Sequence, residues 1–179
     1  SYNTQNTMSF VRIKKIKGNE YSYIVENRWK GKGSRQKVTG YLGRVHRVAQ
    51  AKDLGFFEYY GIADKEAYLK NVQNDELVQS IIRLELLKHG FAGDATVMQQ
   101  GKLTVDFSAL QVKQGKRKVA VAMHDGFLAD LTLKRLVGFK EVGSQAELSM
   151  KLAKAFVEAG IKVDEELFVA VYEKVVNPL

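Results

Sequence analysis

The chain of 179 residues contains no cysteine, which excludes a disulfide framework, a thiolate nucleophile and a cysteine-ligated metal. Proline occurs only at position 178. No apolar run approaches the roughly 20 residues that a membrane-spanning helix needs, and the first residues lack the apolar segment of a signal peptide. These two absences make a cytoplasmic protein the expectation, and the composition, 45% apolar and 27% charged, is that of an ordinary globular one.

Acidic residues are almost absent from the first third of the chain. Residues 1–52 hold 12 Lys/Arg and two Asp/Glu, whereas residues 53–179 hold 16 Lys/Arg and 18 Asp/Glu. The net charge of +8 therefore comes from the first third. Such an asymmetry predicts a part that binds a polyanion, joined to an ordinary globular part.

Residues 10–45 have the pattern of a three-stranded antiparallel β-meander. Apolar and polar residues alternate in the runs 10–14, 21–26 and 35–43, as expected for half-buried strands. Glycines at the two connections favour turns. The adjacent Lys14 and Lys15 interrupt the first alternation, which predicts a bulge or a strand end there.

The remaining sequence predicts an α+β domain. Helical patterns cover 64–71, 74–90, 125–138, 144–160 and 164–176, and strand-like runs cover 95–100, 102–107 and 116–123. The expected fold class is therefore α+β: an N-terminal three-stranded antiparallel β-meander, followed by a mixed domain with a small β-sheet and about four to five helices. We expect a tag or disordered tail at 1–7, a basic β-module at 8–47 and the α+β domain at 48–179.

The basic meander gives the strongest functional prediction, because lysine and arginine neutralise phosphates and release their counterions. Aromatic residues are interleaved with these cations, and an exposed aromatic face can stack on unpaired bases. The alternative for the charges is a merely solvated surface. The alternative for the aromatic residues is packing of the small sheet on the rest of the protein. The predicted nucleic-acid-binding residues are Arg12, Lys14, Lys15, Arg28, Trp29, Lys30, Lys32, Arg35, Lys37, Tyr41 and Arg44, with Tyr23 as an alternative to Tyr41.

The same segment resembles a known family. The runs FVRIKKIKG, YSYIVENRW and SRQKVTGYLGRV resemble the short N-terminal β-module of IS4-like insertion-element transposases, in which a similar Tyr-Leu-Gly-Arg phrase precedes the catalytic domain. Here that phrase is Tyr41 to Arg44. The resemblance covers roughly residues 10–45 and implies a nucleic-acid-binding appendage. It does not extend into residues 46–179, which are too few for the family's ribonuclease-H-like domain with three separated carboxylates.

An enzymatic alternative rests on the phrase MHDGFLAD. His124 and Asp125 lie at a predicted strand–helix junction, and with Asp130 they suit acid–base or metal chemistry. The simpler interpretation is that His124 or Asp125 caps the helix. His46 belongs to the basic segment and His89 to a helix C-terminus, so neither adds to a metal site. No cofactor motif occurs, and we predict neither a metal nor a cofactor.

We therefore predict a non-enzymatic nucleic-acid-binding protein, with DNA slightly favoured over RNA, including ribosomal RNA. A second basic cluster at Lys113, Lys116, Arg117 and Lys118 extends the surface if it lies beside the meander. Two rival functions are the small enzyme described above and a module that docks an acidic protein. Amphipathic stripes on the last two helices indicate core packing, with a homodimer face as the alternative.

Overall fold

A computed structural model of the chain describes residues 8–178, and leaves out the side chain of Lys30. The tail predicted at 1–7 lies outside the described residues. Within them, the strands are β1 Ser9–Ile16, β2 Asn19–Lys30, β3 Gly33–Arg47, β4 Ala92–Gly93, β5 Val97–Gln100, β6 Leu103–Asp106, β7 Gln111–Gln114, β8 Arg117–Met123 and β9 Gly126–Leu128. The helices are α1 Phe56–Tyr59, α2 Lys65–Asn71, α3 Asn74–Lys88, α4 Asp130–Val137, α5 Gln145–Glu158 and α6 Glu165–Val176.

The strands form one mixed sheet, so the predicted fold class is wrong. Nine strands join in the order β1-β2-β3-β8-β7-β6-β5-β4, with β9 also paired to β8, and six helices accompany them within residues 8–178. The antiparallel meander β1-β2-β3 is confirmed. The small separate sheet is not found, because the last residues of β3, Arg44 to Arg47, pair in parallel with Val119 to Ala122 of β8. Alternation along a strand indicates which face is buried but not which distant strand pairs with it.

Strand β8 lies between two groups of buried side chains, and this explains its unbroken apolar run. Val119, Val121 and Met123 face the larger core, while Ala120 and Ala122 face a smaller one. A strand covered on both faces needs apolar residues at consecutive positions. The larger core gathers side chains from α3 to α6 and the strands β5 to β8. The smaller core consists of Leu42, Val45, Ala120, Ala122 and Ala129, against which Val11, Ile13 and Ile24 pack.

The helix predictions are confirmed at α2, α3, α5 and α6, and one is wrong in part. Ser144 and Glu147 form the capping box of α5, with the Glu147 amide donating to the Ser144 hydroxyl at 3.3 Å. The stripe residues Leu152 and Phe156 of α5 are buried in the larger core. The helix predicted from residue 125 instead begins at Asp130, because 126–128 pair with β8 as β9.

No helix within residues 8–178 has the length and apolar character to cross a bilayer.

Candidate nucleic-acid interface

The register of the meander separates its side chains into two faces. Residues opposite each other in an antiparallel pair share a face, so Val11 lies with Ile24 on the side that packs on the smaller core. The opposite side carries cations and aromatic rings from all three strands. We call this side the basic-aromatic face; its residues are Arg12, Lys14, Tyr21, Tyr23, Tyr41 and Arg44.

The centre of the basic-aromatic face is a pair of tyrosines. The ring centroids of Tyr23 and Tyr41 are 5.2 Å apart with the planes tilted by 51°, and the Lys14 ammonium lies 5.0 Å from the Tyr23 centroid. Tyr41 remains 51% exposed. The buried part of its side chain raises the pKa of the Tyr41 hydroxyl, and the neighbouring Tyr23 and Tyr21 add to this. The hydroxyl is therefore a neutral hydrogen-bond donor at physiological pH, beside an accessible ring.

Two bulges in β3, and none in β1, shape this face. The pairing of β1 with β2 is continuous through Lys14 and Lys15, so no bulge lies there, and the strand ends at the next residue, Ile16. The register shifts instead between β2 and β3, leaving Thr39 and Leu42 of β3 without partners. Such bulges increase the twist of a strand pair. As a result Val38 is 46% exposed while Leu42 is buried, although alternation alone predicts one face for both.

The Tyr41 to Arg44 phrase marks the point where β3 leaves the meander and joins β8. Gly43 has φ +101°, and a Cβ at this position would lie 1.8 Å from the Lys118 carbonyl oxygen. The Ser22 hydroxyl donates to the Gly43 carbonyl at 2.8 Å within the buried interior. Only glycine fits a backbone approach this close. The phrase thus has a structural role that holds the basic-aromatic face on the sheet.

Beyond Glu26, strands β2 and β3 pair only with each other among the described residues. We call this segment, residues 27–36, the basic ribbon. Arg28 and Arg35 are paired on one of its sides and both are exposed. Trp29, which is 72% exposed, lies on the other side, the same side of β2 as Tyr21 and Tyr23 by strand alternation. Lys32 is exposed at the turn, and Lys37, just before the bulges, is also exposed.

Both acidic residues of the first third are paired with cations. The Arg47 guanidinium donates two hydrogen bonds of 2.9 Å to the Glu20 carboxylate. These bonds, and then the charges of Arg47 and Lys15, lower the pKa of Glu20. Glu26 lies 3.6 Å from Arg28. Sequence reasoning missed Arg47, which follows the segment and whose partner lies 27 positions earlier.

The second basic cluster lies beside this face at its tyrosine end. Strand β8 adjoins β3 from Arg44 onward, and the charge of Arg117 acts on the Tyr41 hydroxyl by lowering its pKa, against the larger effect of burial. Lys118 turns elsewhere, since its ammonium is 3.5 Å from the Asp130 carboxylate. Arg117 therefore lies beside the meander, as the second basic cluster must if it is to extend the binding surface.

The predicted residues do not all lie together. Arg12 and Arg44 share the basic-aromatic face, where they donate to Gln36 at 2.5 Å and to Asn19 at 2.8 Å. Lys15 is on the opposite face, paired with Glu20. The side chain of Lys30 lies outside what the structure describes.

The residues of the enzymatic alternative are engaged with different partners. Asp130 is buried and accepts a hydrogen bond of 2.8 Å from the Val112 amide. His124 instead contacts Glu85 of α3, with 2.5 Å between its Nε2 and the carboxylate Oε1. Neither His124 nor Asp125 caps α4, which begins after Ala129. A group that could hold a metal nevertheless exists: Glu85, His89 and His124.

Comparisons of the chain with protein-family models, with curated proteins and with solved structures found no match. The likeness to the transposase module therefore stays a resemblance in residues 10–45.

Proposed function

We propose that this chain is a nucleic-acid-binding protein that acts without catalysis and prefers DNA to RNA. Its binding surface is the basic-aromatic face together with the basic ribbon and Arg117. The observation that carries the proposal is the arrangement of charge. The basic-aromatic face presents cations around the accessible Tyr41, and the basic ribbon presents Arg28 and Arg35 on one side and Trp29 on the other. Both acids of the segment are held by Arg28 and Arg47. A cytoplasmic location belongs to the same proposal.

The shape of the basic ribbon favours duplex DNA. The four residues 27–30 of β2 extend about 13 Å beyond the last residue paired with β1, at about 3.3 Å per residue. A two-stranded ribbon of this kind fits the major groove, which is about 12 Å wide. Arg28 and Arg35 on one side of the ribbon then contact phosphates or base edges. The transposase resemblance also favours DNA.

The aromatic residues support a second mode of contact within the same proposal. Tyr41 and Trp29 are the two most exposed rings of the meander, and exposed rings bind unpaired bases by stacking. A preference for single strands or for structured RNA would shift the proposed ligand toward RNA, whose specific recognition depends on unstacked bases. Docking of an acidic protein is the remaining outcome, since the charge suits any polyanion.

The test is a fluorescence-anisotropy titration of labelled duplex DNA, single-stranded DNA and structured RNA at several salt concentrations. What we call the ribbon variant changes Arg28, Lys32 and Arg35 of the basic ribbon, and the adjoining Lys37, to glutamine. The matched control variant removes the same charge from exposed lysines outside the sheet, changing Lys70, Lys140, Lys154 and Lys162 to glutamine.

We expect the ribbon variant to bind more weakly than the control variant. Its log–log salt slope on duplex DNA should be shallower by about 0.9 for each phosphate that is no longer neutralised, or by up to about 3.6 in all. Equal weakening in both variants would mean that only net charge matters. Absence of saturable binding to all three nucleic acids would refute the proposal. Specific capture of an acidic protein would then become the leading function.

A further inference from the structure

We propose that Glu85, His89 and His124 form a binding site for one divalent transition-metal ion, with Zn²⁺ as the expected ion. Each offers one ligand atom, and these atoms lie within 4.8 Å of one another. Glu85 and His89 are one turn apart at the C-terminal end of α3. His124 reaches them from the two-residue connection between β8 and β9. The site is separate from the proposed nucleic-acid interface and does not depend on it.

The hydrogen bonding of His89 leaves one ring nitrogen free for a metal. Its Nδ1 lies 2.8 Å from the backbone carbonyl oxygen of Glu85. Because a carbonyl oxygen only accepts, Nδ1 carries the hydrogen and Nε2 holds a lone pair. Metal-bound histidines commonly have their second nitrogen donating in this way, which fixes the tautomer and the ring orientation.

The burial of the group favours a cation beside Glu85. The side chains of Glu85 and His89 are only 3% and 2% exposed, and a buried carboxylate is costly unless it is paired or bound to a metal. The polar neighbours of Glu85 here are the two histidines, at 2.5 Å for His124 Nε2 and 3.5 Å for His89 Nδ1. The nearest lysine along the helix, Lys88, lies 3.9 Å from Asp53 instead. A divalent ion would supply the positive charge that neutral imidazoles do not.

The ligand set is the one that zinc accepts. Two imidazole nitrogens and one carboxylate oxygen, with a fourth position open to water, are typical of zinc sites with exchangeable ligands. His124 has 28% of its side chain exposed, so the open position would face solvent. Zinc bonds of about 2.0–2.1 Å place tetrahedral ligand atoms about 3.3 Å apart, so the His124 ring must withdraw from Glu85 by about 0.8 Å. The ion would take the place of the direct contact between these two side chains.

The site would join two distant parts of the sequence. Glu85 and His89 belong to a helix of the larger core, whereas His124 follows β8, the strand that holds the meander. His124 also has φ +50°, a conformation that non-glycine residues adopt at a cost. A ligand bond from His124 would offset this cost in the metal-bound protein.

The first experiment is competition for Zn²⁺ between a chromophoric chelator and the chain, prepared without a histidine tag and treated with EDTA. The variants are His124→Gln, at the partly exposed turn, and Glu85→Gln, and the control is His46→Gln, which removes the third histidine of the chain. Circular dichroism establishes that each variant is folded. Thermal unfolding with and without Zn²⁺ gives a second readout.

We expect one ion per chain, an affinity at least 100-fold lower in His124→Gln, and no change in His46→Gln. Zinc at 100 times its dissociation constant should raise the Tm by about 5–10 °C in the unmodified chain, and not in folded His124→Gln. Binding that survives His124→Gln with equal affinity, or no stoichiometric binding at micromolar zinc, would overturn the proposal. The three side chains would then be a hydrogen-bonded group only.

Discussion

Replacement of Gly43 by alanine tests the junction between the meander and the rest of the sheet. The new Cβ would lie 1.8 Å from the Lys118 carbonyl oxygen and 2.9 Å from the Val119 Cα. Both obstacles are backbone atoms, so no side chain can rotate to relieve them. The backbone at Gly43 also has φ +101°, which alanine adopts only with strain.

The expected cost combines two terms. The strained backbone costs about 1–2 kcal/mol, and forcing extra volume into a close-packed contact costs about 1–3 kcal/mol. Gly43→Ala should therefore lower the free energy of unfolding by about 2–5 kcal/mol, a large fraction of the 5–15 kcal/mol typical of a domain. For a chain of this size that corresponds to a Tm lower by about 5–15 °C.

Alanine substitutions at two other glycines separate the backbone strain from the steric contact. Gly101 has φ +58° with no atom within 4 Å of its added Cβ, so Gly101→Ala carries the backbone term alone. Gly33 has open space and no positive φ, so Gly33→Ala should change stability by less than about 0.5 kcal/mol. Urea unfolding followed by circular dichroism gives all three values. If Gly43→Ala is no more destabilising than Gly101→Ala, β3 and β8 do not approach each other as described.

Two other predictions concern the interface. Trp29→Ala should weaken binding of single-stranded DNA by about 1–3 kcal/mol without changing the free energy of unfolding, because the ring is 72% exposed. Fluorescence anisotropy measures the binding, and the control is Tyr59→Ala, which removes an exposed ring on α1. An equal loss of binding in the control would contradict the prediction. Glu20 should titrate below the ordinary glutamate value of 4.5 because Arg47 hydrogen-bonds its charged form. The stabilisation from this pair is therefore present above about pH 4.5 and lost as the pH falls through the lowered pKa. Carboxyl NMR titration of the chain and of Arg47→Gln checks the shift, and an unchanged Glu20 pKa in the variant would refute its cause.

Local patterns are sufficient where the structure depends on near neighbours. The capping box at Ser144 and Glu147, and the β-meander with its turn after Ile16, involve residues a few positions apart. The charge of the basic ribbon follows directly from composition. The segment 126–128 shows the limit of such patterns. Its sequence has the same helical pattern as α4, yet in the structure it forms a strand paired with β8.

Part of the interface could be predicted and part could not. The cations and rings of residues 12–44 are evident in the sequence, and alternation correctly places Tyr21 and Tyr23 on one side of β2. The bulges at Thr39 and Leu42 could not be predicted, because the alternation of β3 carries no sign of the extra residues that it inserts opposite β2. Those bulges decide that Tyr41 pairs with Tyr23 and that Val38 is exposed.

The sequence alone determined the excess of positive charge in the first third, the absence of thiol chemistry and the local helix and strand preferences, since each depends on composition or on short spacings. Only the tertiary structure decided that β3 joins β8 in one mixed sheet, and that His124 meets Glu85 across 39 positions. Such contacts depend on which buried surfaces fit together, and a hydrophobic pattern specifies burial without specifying the partner. The spacing of Glu85 and His89 by four residues on one helix was the only local sign of that group.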